Sequence, residues 1–247
     1  MSNDNLLLAR LPPGAREHLR SRMETVVLRR GQRLFESGER IAHVFFPLGG
    51  LVSLESGTAD GRNVQLTTVG HEGLVGLAVV LRDEVPPYRA VVCEGAQALR
   101  IRSTVLAAEL RRDGPVSAVL LSYAARVFRE IAQSLVCYRT HTVLQRLCRS
   151  LLTAADHLCA DAVEVSQEKL AEALGADRSA ISHALVELQD ADAIRARYRR
   201  IVIRKRSMLE ATACECYHAL LDVVTAEAGA TRATQPLMPV HPSSSRS

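Results

Sequence analysis

Ten of the 14 glycines in this 247-residue chain fall between residues 26 and 102, and none lies between Pro115 and Arg139. Glycine at that density cuts a chain into short segments joined by turns, and its abrupt loss permits one long helix. The runs between the glycines, at 43–47, 51–55, 64–69, 89–93 and 98–101, are β-prone. Asp60-Gly61 is a tight-hairpin signal, because glycine tolerates the positive φ such a turn requires. Many short strands at this spacing predict a β-sandwich or barrel over the first half of the chain.

Pro115 suits the first turn of the helix that follows. Leu121, Ala124, Phe128, Ile131, Leu135 and Tyr138 recur at spacings of three and four. They form a seam of the kind that joins two helices. Val116, Leu120, Tyr123 and Val127 make a second stripe beside it. One stripe can be buried in the chain's own core and the other in a partner, so Leu121, Ala124, Phe128, Ile131 and Leu135 are the expected interface of a homodimer. A second amphipathic helix is predicted over 143–157, with Leu144, Leu147, Cys148, Leu151 and Leu152 inward.

Residues 165–206 read VSQEKLAEALGADRSAISHALVELQDADAIRARYRRIVIRKR. Ser166 is placed to cap a helix ending at Leu174, Gly175 supplies a turn, and Asp177 is placed to cap a second helix. Ile181, Ala184, Leu185 and Leu188 form the inner face of that second helix. Arg178, Ser179, Ser182, His183 and Val186 are left outside. Residues 194–197 and 201–203 then alternate as a hairpin turning at Tyr198-Arg199-Arg200. No acidic residue interrupts 195–206, and a one-sign cluster favours a polyanion over ordinary solvation. Helix, glycine turn, helix and basic wing fit double-stranded DNA: the helix end enters the major groove and the wing meets phosphates. Arg178 can present paired donors to a guanine edge. The expected DNA-contacting set is Ser166, Gln167, Arg178, Ser179, Ser182, His183, Arg199 and Arg200.

Net charge is +4, only mildly basic. No charged segment followed by an apolar run opens the chain, and the longest apolar run is far below the roughly 20 residues a membrane span needs. A cytoplasmic protein without a membrane partner is expected. The six cysteines lack the spacing of a disulfide framework. Cys214-Glu-Cys216-Tyr-His218 offers metal-ligating types, but one Cys-x-Cys without a second pair is weak, and no metal is assigned. No Ser-His-Asp order, phosphate loop or paired carboxylate marks an enzyme. A Thr-, Pro- and Ser-rich stretch from about residue 229 predicts a disordered tail.

The order of these parts resembles the Crp/Fnr family of bacterial transcription regulators over about residues 20–220. SQEKLAEALGADRSAISHALVELQDADAI is similar to that family's helix-turn-helix and IVI to its wing strand. GQRLFESGE at 31–39, VFFPLGGLVSL at 44–54 and VGHEGLVG at 69–76 are similar to its cyclic-nucleotide-binding roll. The resemblance implies an α+β chain with four parts: a sensor β-roll with an N-terminal helical segment (1–113), a dimerisation helix (114–139), a winged helix-turn-helix (140–224) and a disordered tail (225–247). It also implies a homodimer on a near-palindromic operator, with recognition helices about 34 Å apart, and a surface for RNA polymerase if the protein activates.

The implied effector site is Gly76, Arg89 and Ala90. Here the chain departs from the pattern, because Leu77 follows Gly76 where cyclic-nucleotide binders carry Glu. A leucine there leaves a ribose hydroxyl unpaired, so cyclic AMP is not expected and the cofactor is left unassigned. Two other readings stay open: a cyclic-nucleotide-like or metal- or redox-sensing module with a non-DNA output, and a cupin-like barrel enzyme.

Overall fold

The computed structural model describes residues 4–57, 63–83, 85–112 and 114–219. The Asp60-Gly61 hairpin, residues 220–224 at the end of the expected winged helix-turn-helix and the tail from 225 lie outside the described residues.

Helices α1 (Leu6–Ala9) and α2 (Pro13–Arg20) open the chain. Strands β1 (Glu24–Leu28), β2 (Arg33–Phe35), β3 (His43–Pro47), β4 (Leu51–Gly57) and β5 (Asn63–Val69) follow. Next come α3 (Leu77–Val80), β6 (Arg89–Glu94), β7 (Ala96–Arg102) and α4 (Ser103–Leu110). All pairing is antiparallel, in a three-stranded sheet ordered β1-β7-β3 and a four-stranded sheet ordered β2-β6-β4-β5. Apolar side chains of both sheets, including Val44, Phe46, Val52, Val92 and Ile101, enter one core. β1 and β2 escape a reading by sequence pattern for a physical reason. β1 lies at a sheet edge with only Leu28 buried, and β2 is three residues long.

Helix α5 (Pro115–Thr140) runs 26 residues, with Pro115 in its first turn. Val116, Leu120, Tyr123, Ala124 and Val127 pack into the core of the roll, and Ile131 packs against it. This corrects the predicted seam, because Ala124 and Ile131 belong to the inward face. The outward seam instead runs Ala118, Leu121, Ala125, Phe128, Ala132 and Leu135, again at alternating spacings of three and four. Leu121 is 47% exposed, Phe128 73% and Leu135 64%. The reason is angular. Both stripes are apolar, and only the roll's position decides which residues between them turn inward.

The second core is built by α6 (Val143–Leu158), β8 (Ala162–Glu164), α7 (Gln167–Leu174), α8 (Arg178–Asp190), β9 (Ile194–Arg197), β10 (Arg200–Ile203) and α9 (Arg206–Thr212). Thr142 and Gln145 close a reciprocal capping box at the start of α6. The segment after α6 is more than a link, since β8 pairs with β10 and makes the wing a three-stranded sheet ordered β8-β10-β9. Among the described residues no helix is long and apolar enough to cross a membrane.

Candidate nucleic-acid interface and sensor site

The Ser166 hydroxyl accepts the Lys169 N–H at 3.2 Å and so caps α7. Gly175 ends that helix at φ +55°, a left-handed conformation that favours glycine. Asp177 occupies the N-cap position of α8 in extended conformation, but its side chain makes no capping hydrogen bond. The capping predicted for Asp177 is therefore positional only, and its carboxylate still favours the positive end of the helix dipole.

Ile181, Ala184, Leu185 and Leu188 are buried, which turns the opposite face of α8 to solvent. Arg178, Ser179 and His183 are exposed there, and Ser182 is half-buried. Ser166 and Gln167 are half-buried at the start of α7. In the wing, Arg195, Arg197, Arg199, Arg200 and Arg204 are exposed. Tyr198 makes the turn at φ +42° and is 96% exposed, with the Arg199 guanidinium 5.9 Å from its ring centre. The basic run is shorter than the sequence implied. Lys205 pairs with Asp192 at 3.1 Å, and Arg206 opens α9 while bonding Asp156, Glu210 and the Tyr217 hydroxyl.

This interface is tied to the roll. Tyr138, near the end of α5, donates to the Ala173 carbonyl at 2.8 Å, and Arg146 donates to the Leu174 carbonyl at 2.8 Å. Both therefore grip the C-terminal end of α7, and the Arg146 guanidinium lies 5.5 Å from the Tyr138 ring centre. His157 meets Thr68 at 3.1 Å, and Arg30 pairs with Glu164. A cavity of about 680 Å³ lies between the roll, α5 and the helix-turn-helix, lined in part by Glu55, Arg89, Cys93, Glu130, Tyr138 and Lys169.

Several groups near this cavity have shifted protonation. Burial pushes the Cys93 thiol up to about 11, with Glu55 adding to the effect. Burial also raises Glu130, although Arg126 beside it opposes the shift. Glu72 is lowered overall. Its burial opposes ionisation, but His157, the Gly70 N–H and Arg126 outweigh it.

At the sequence-predicted effector site, Gly76 adopts φ +112°, and an added Cβ would sit 3.1 Å from Val44 Cγ2. Leu77 begins α3 and is buried in the core. Ala90 is fully buried. The Arg89 guanidinium donates twice to Glu55 Oε2, at 2.9 and 3.1 Å. Two of the five guanidinium N–H donors are thus held by Glu55 within the roll, and Leu77 gives no acceptor or donor to a sugar.

Two family models match the sequence. A cyclic nucleotide-binding domain covers residues 25–113, and a Crp-like helix-turn-helix domain covers residues 145–212. No curated protein matches the chain significantly. Among solved structures, FixK2 from Bradyrhizobium japonicum is 18% identical, with 78% of this chain and 98% of that one covered at a TM-score of 0.68. A CRP-family transcriptional regulator from Thermus thermophilus is 22% identical, covering 76% and 96% at 0.64. The c-di-GMP-responsive global regulator CLP of Xanthomonas campestris is 17% identical, covering 78% and 99% at 0.63. At these identities the likeness is one of fold.

Proposed function

The chain belongs to the Crp/Fnr family of DNA-binding transcription regulators, and from that premise we propose that it acts in the cytoplasm, without enzymatic activity, as a homodimer on a near-palindromic operator. The proposed parts are a sensor roll over 1–113, a dimerisation helix over 114–139 and a DNA-binding unit over 140–224. The observation that carries this reading is the α8 face on which Arg178, Ser179 and His183 stand exposed beside an arginine wing. Arg178 reads a guanine edge, while Ser179, Ser182 and His183 contact neighbouring bases or phosphates. Ser166, Gln167, Arg199 and Arg200 fix the register on the phosphate backbone.

Dimerisation rests on the exposed seam of Leu121, Ala125, Phe128, Ala132 and Leu135. Large and small residues alternate along it, so knobs from one helix fit gaps in its partner. At activated promoters the segment 159–163, exposed at 159–161, is the proposed contact for RNA polymerase. The roll is proposed not to take cyclic AMP at Gly76, Arg89 and Ala90, since Leu77 is buried and Arg89 is bound to Glu55.

Selection of binding sites from a random duplex pool tests this reading. The expected product is an inverted repeat with half-site centres one helical turn apart, bound as two chains per duplex. Enrichment of no sequence over the starting pool would refute it. Titration calorimetry with cyclic AMP should give no binding heat.

A further inference from the structure

Beyond DNA recognition, the end of α5 carries a second chemical site. Cys137 stands in its last turn and His141 is its C-cap residue. Cys214 and Cys216 follow α9 and return to the same place. One ligand atom from each of these four residues lies within 4.8 Å of all the others. Cys137 Sγ and Cys214 Sγ are 3.5 Å apart, and Cys216 Sγ is 3.6 Å from His141 Nδ1. The local Cys214-Glu-Cys216-Tyr-His218 pattern pointed to His218, but that residue is exposed and its ring lies against Tyr217. His141 takes the imidazole position instead, and Cys137 adds a third thiol from 77 residues upstream.

We propose that Cys137, His141, Cys214 and Cys216 bind one Zn²⁺ ion. Three thiolates and an imidazole are a standard set for a closed structural zinc site. Zn–S bonds of about 2.3 Å set tetrahedral ligand atoms about 3.8 Å apart, close to the separations here. The S···S distance of 3.5 Å is well beyond the roughly 2.05 Å of a disulfide, so the sulfurs are thiols ready to ligate. All three cysteines are buried, as a closed site requires.

The surroundings suit the ion as well. His141 turns Nδ1 toward Cys216, while Nε2 meets the Glu215 carboxylate at 3.1 Å. A carboxylate on the outer imidazole nitrogen orients a metal-bound histidine and raises its basicity. Gln133 donates to Cys216 Sγ at 3.0 Å. Three thiolates, one neutral imidazole and Zn²⁺ carry a net charge of −1. Arg149, buried next to the cluster and acting electrostatically on Cys137 and Cys214, offsets that charge. The ion joins the end of the dimerisation helix to the segment that closes the DNA-binding unit, so it fixes how one is set against the other.

The test uses the full chain, purified reduced and dialysed against ZnCl₂, with metal measured by mass spectrometry. One zinc per chain is expected. Titration of the reduced, zinc-free chain with CoCl₂ should give thiolate-to-cobalt charge transfer and the strong visible bands of a tetrahedral site. Cys216→Ser should abolish the charge transfer from that sulfur. Glu215→Gln, on an exposed residue, should leave the circular dichroism unchanged and weaken zinc binding about 10- to 100-fold. Cobalt titration without charge transfer would overturn the proposal, as would recovery of iron without zinc or of a Cys137–Cys214 disulfide in the zinc-treated chain. None of these measurements involves DNA, so this proposal and the operator reading stand or fall separately.

Discussion

Phe128→Ala should separate dimerisation from folding. Phe128 is 73% exposed on the outward face of α5. Burying a phenylalanine side chain completely stabilises by about 1.5–3 kcal/mol, so covering the exposed share contributes about 1–2 kcal/mol. In the proposed homodimer the seam meets its own copy, so each dimer loses two side chains, or about 2–4 kcal/mol. That raises the dimer dissociation constant roughly 30- to 1,000-fold at about 1.4 kcal/mol per decade. Sedimentation velocity across a dilution series measures it. Urea unfolding should change little, because the side chain contributes little to the chain's own core. Leu120→Ala, on the opposite face and fully buried, should do the reverse and cost about 2–5 kcal/mol of folding stability. A dissociation constant for Phe128→Ala within about threefold of wild type would refute the assignment of the seam.

Three further outcomes follow from the same geometry. Arg178→Ala should erode discrimination at one base pair by about 1–3 kcal/mol, read by fluorescence anisotropy on operator variants. The Arg199→Ala/Arg200→Ala double variant should weaken binding to all sequences, and the slope of log affinity against log salt should fall by about 2. Arg89→Ala should leave Glu55 half-buried and unpaired, costing about 1–3 kcal/mol in urea unfolding. Cyclic AMP should not change the midpoint of either protein. A wild-type midpoint that rises with cyclic AMP would sink that part of the reading.

The helix-turn-helix was legible in the sequence because its signals are local. Ser166, Gly175 and the apolar spacing of Ile181, Leu185 and Leu188 each act within a few residues of themselves. The β-roll was legible as a class from its glycine punctuation, but β1 was not, since an edge strand with one buried side chain carries little pattern. The free charge of the wing was overestimated for the opposite reason. Lys205 and Arg206 look unopposed along the chain, yet Asp192 and Asp156 reach them from elsewhere in the fold.

The chain's own pattern determined that α5 is one long helix with more apolar surface than a single core can cover. Its circumference carries apolar residues on two adjoining stripes, and sequence spacing alone leaves their phase open. Packing of Tyr123, Ala124 and Val127 against the roll decided the phase and turned Ala125, Phe128 and Ala132 outward. The cysteine cluster shows the same division. Cys214-Glu-Cys216 is a local pattern, but Cys137 and His141 lie more than 70 residues upstream, and only the return of the chain after α9 brings them within reach. Ligand geometry depends on distances in space, and sequence separation does not encode those distances.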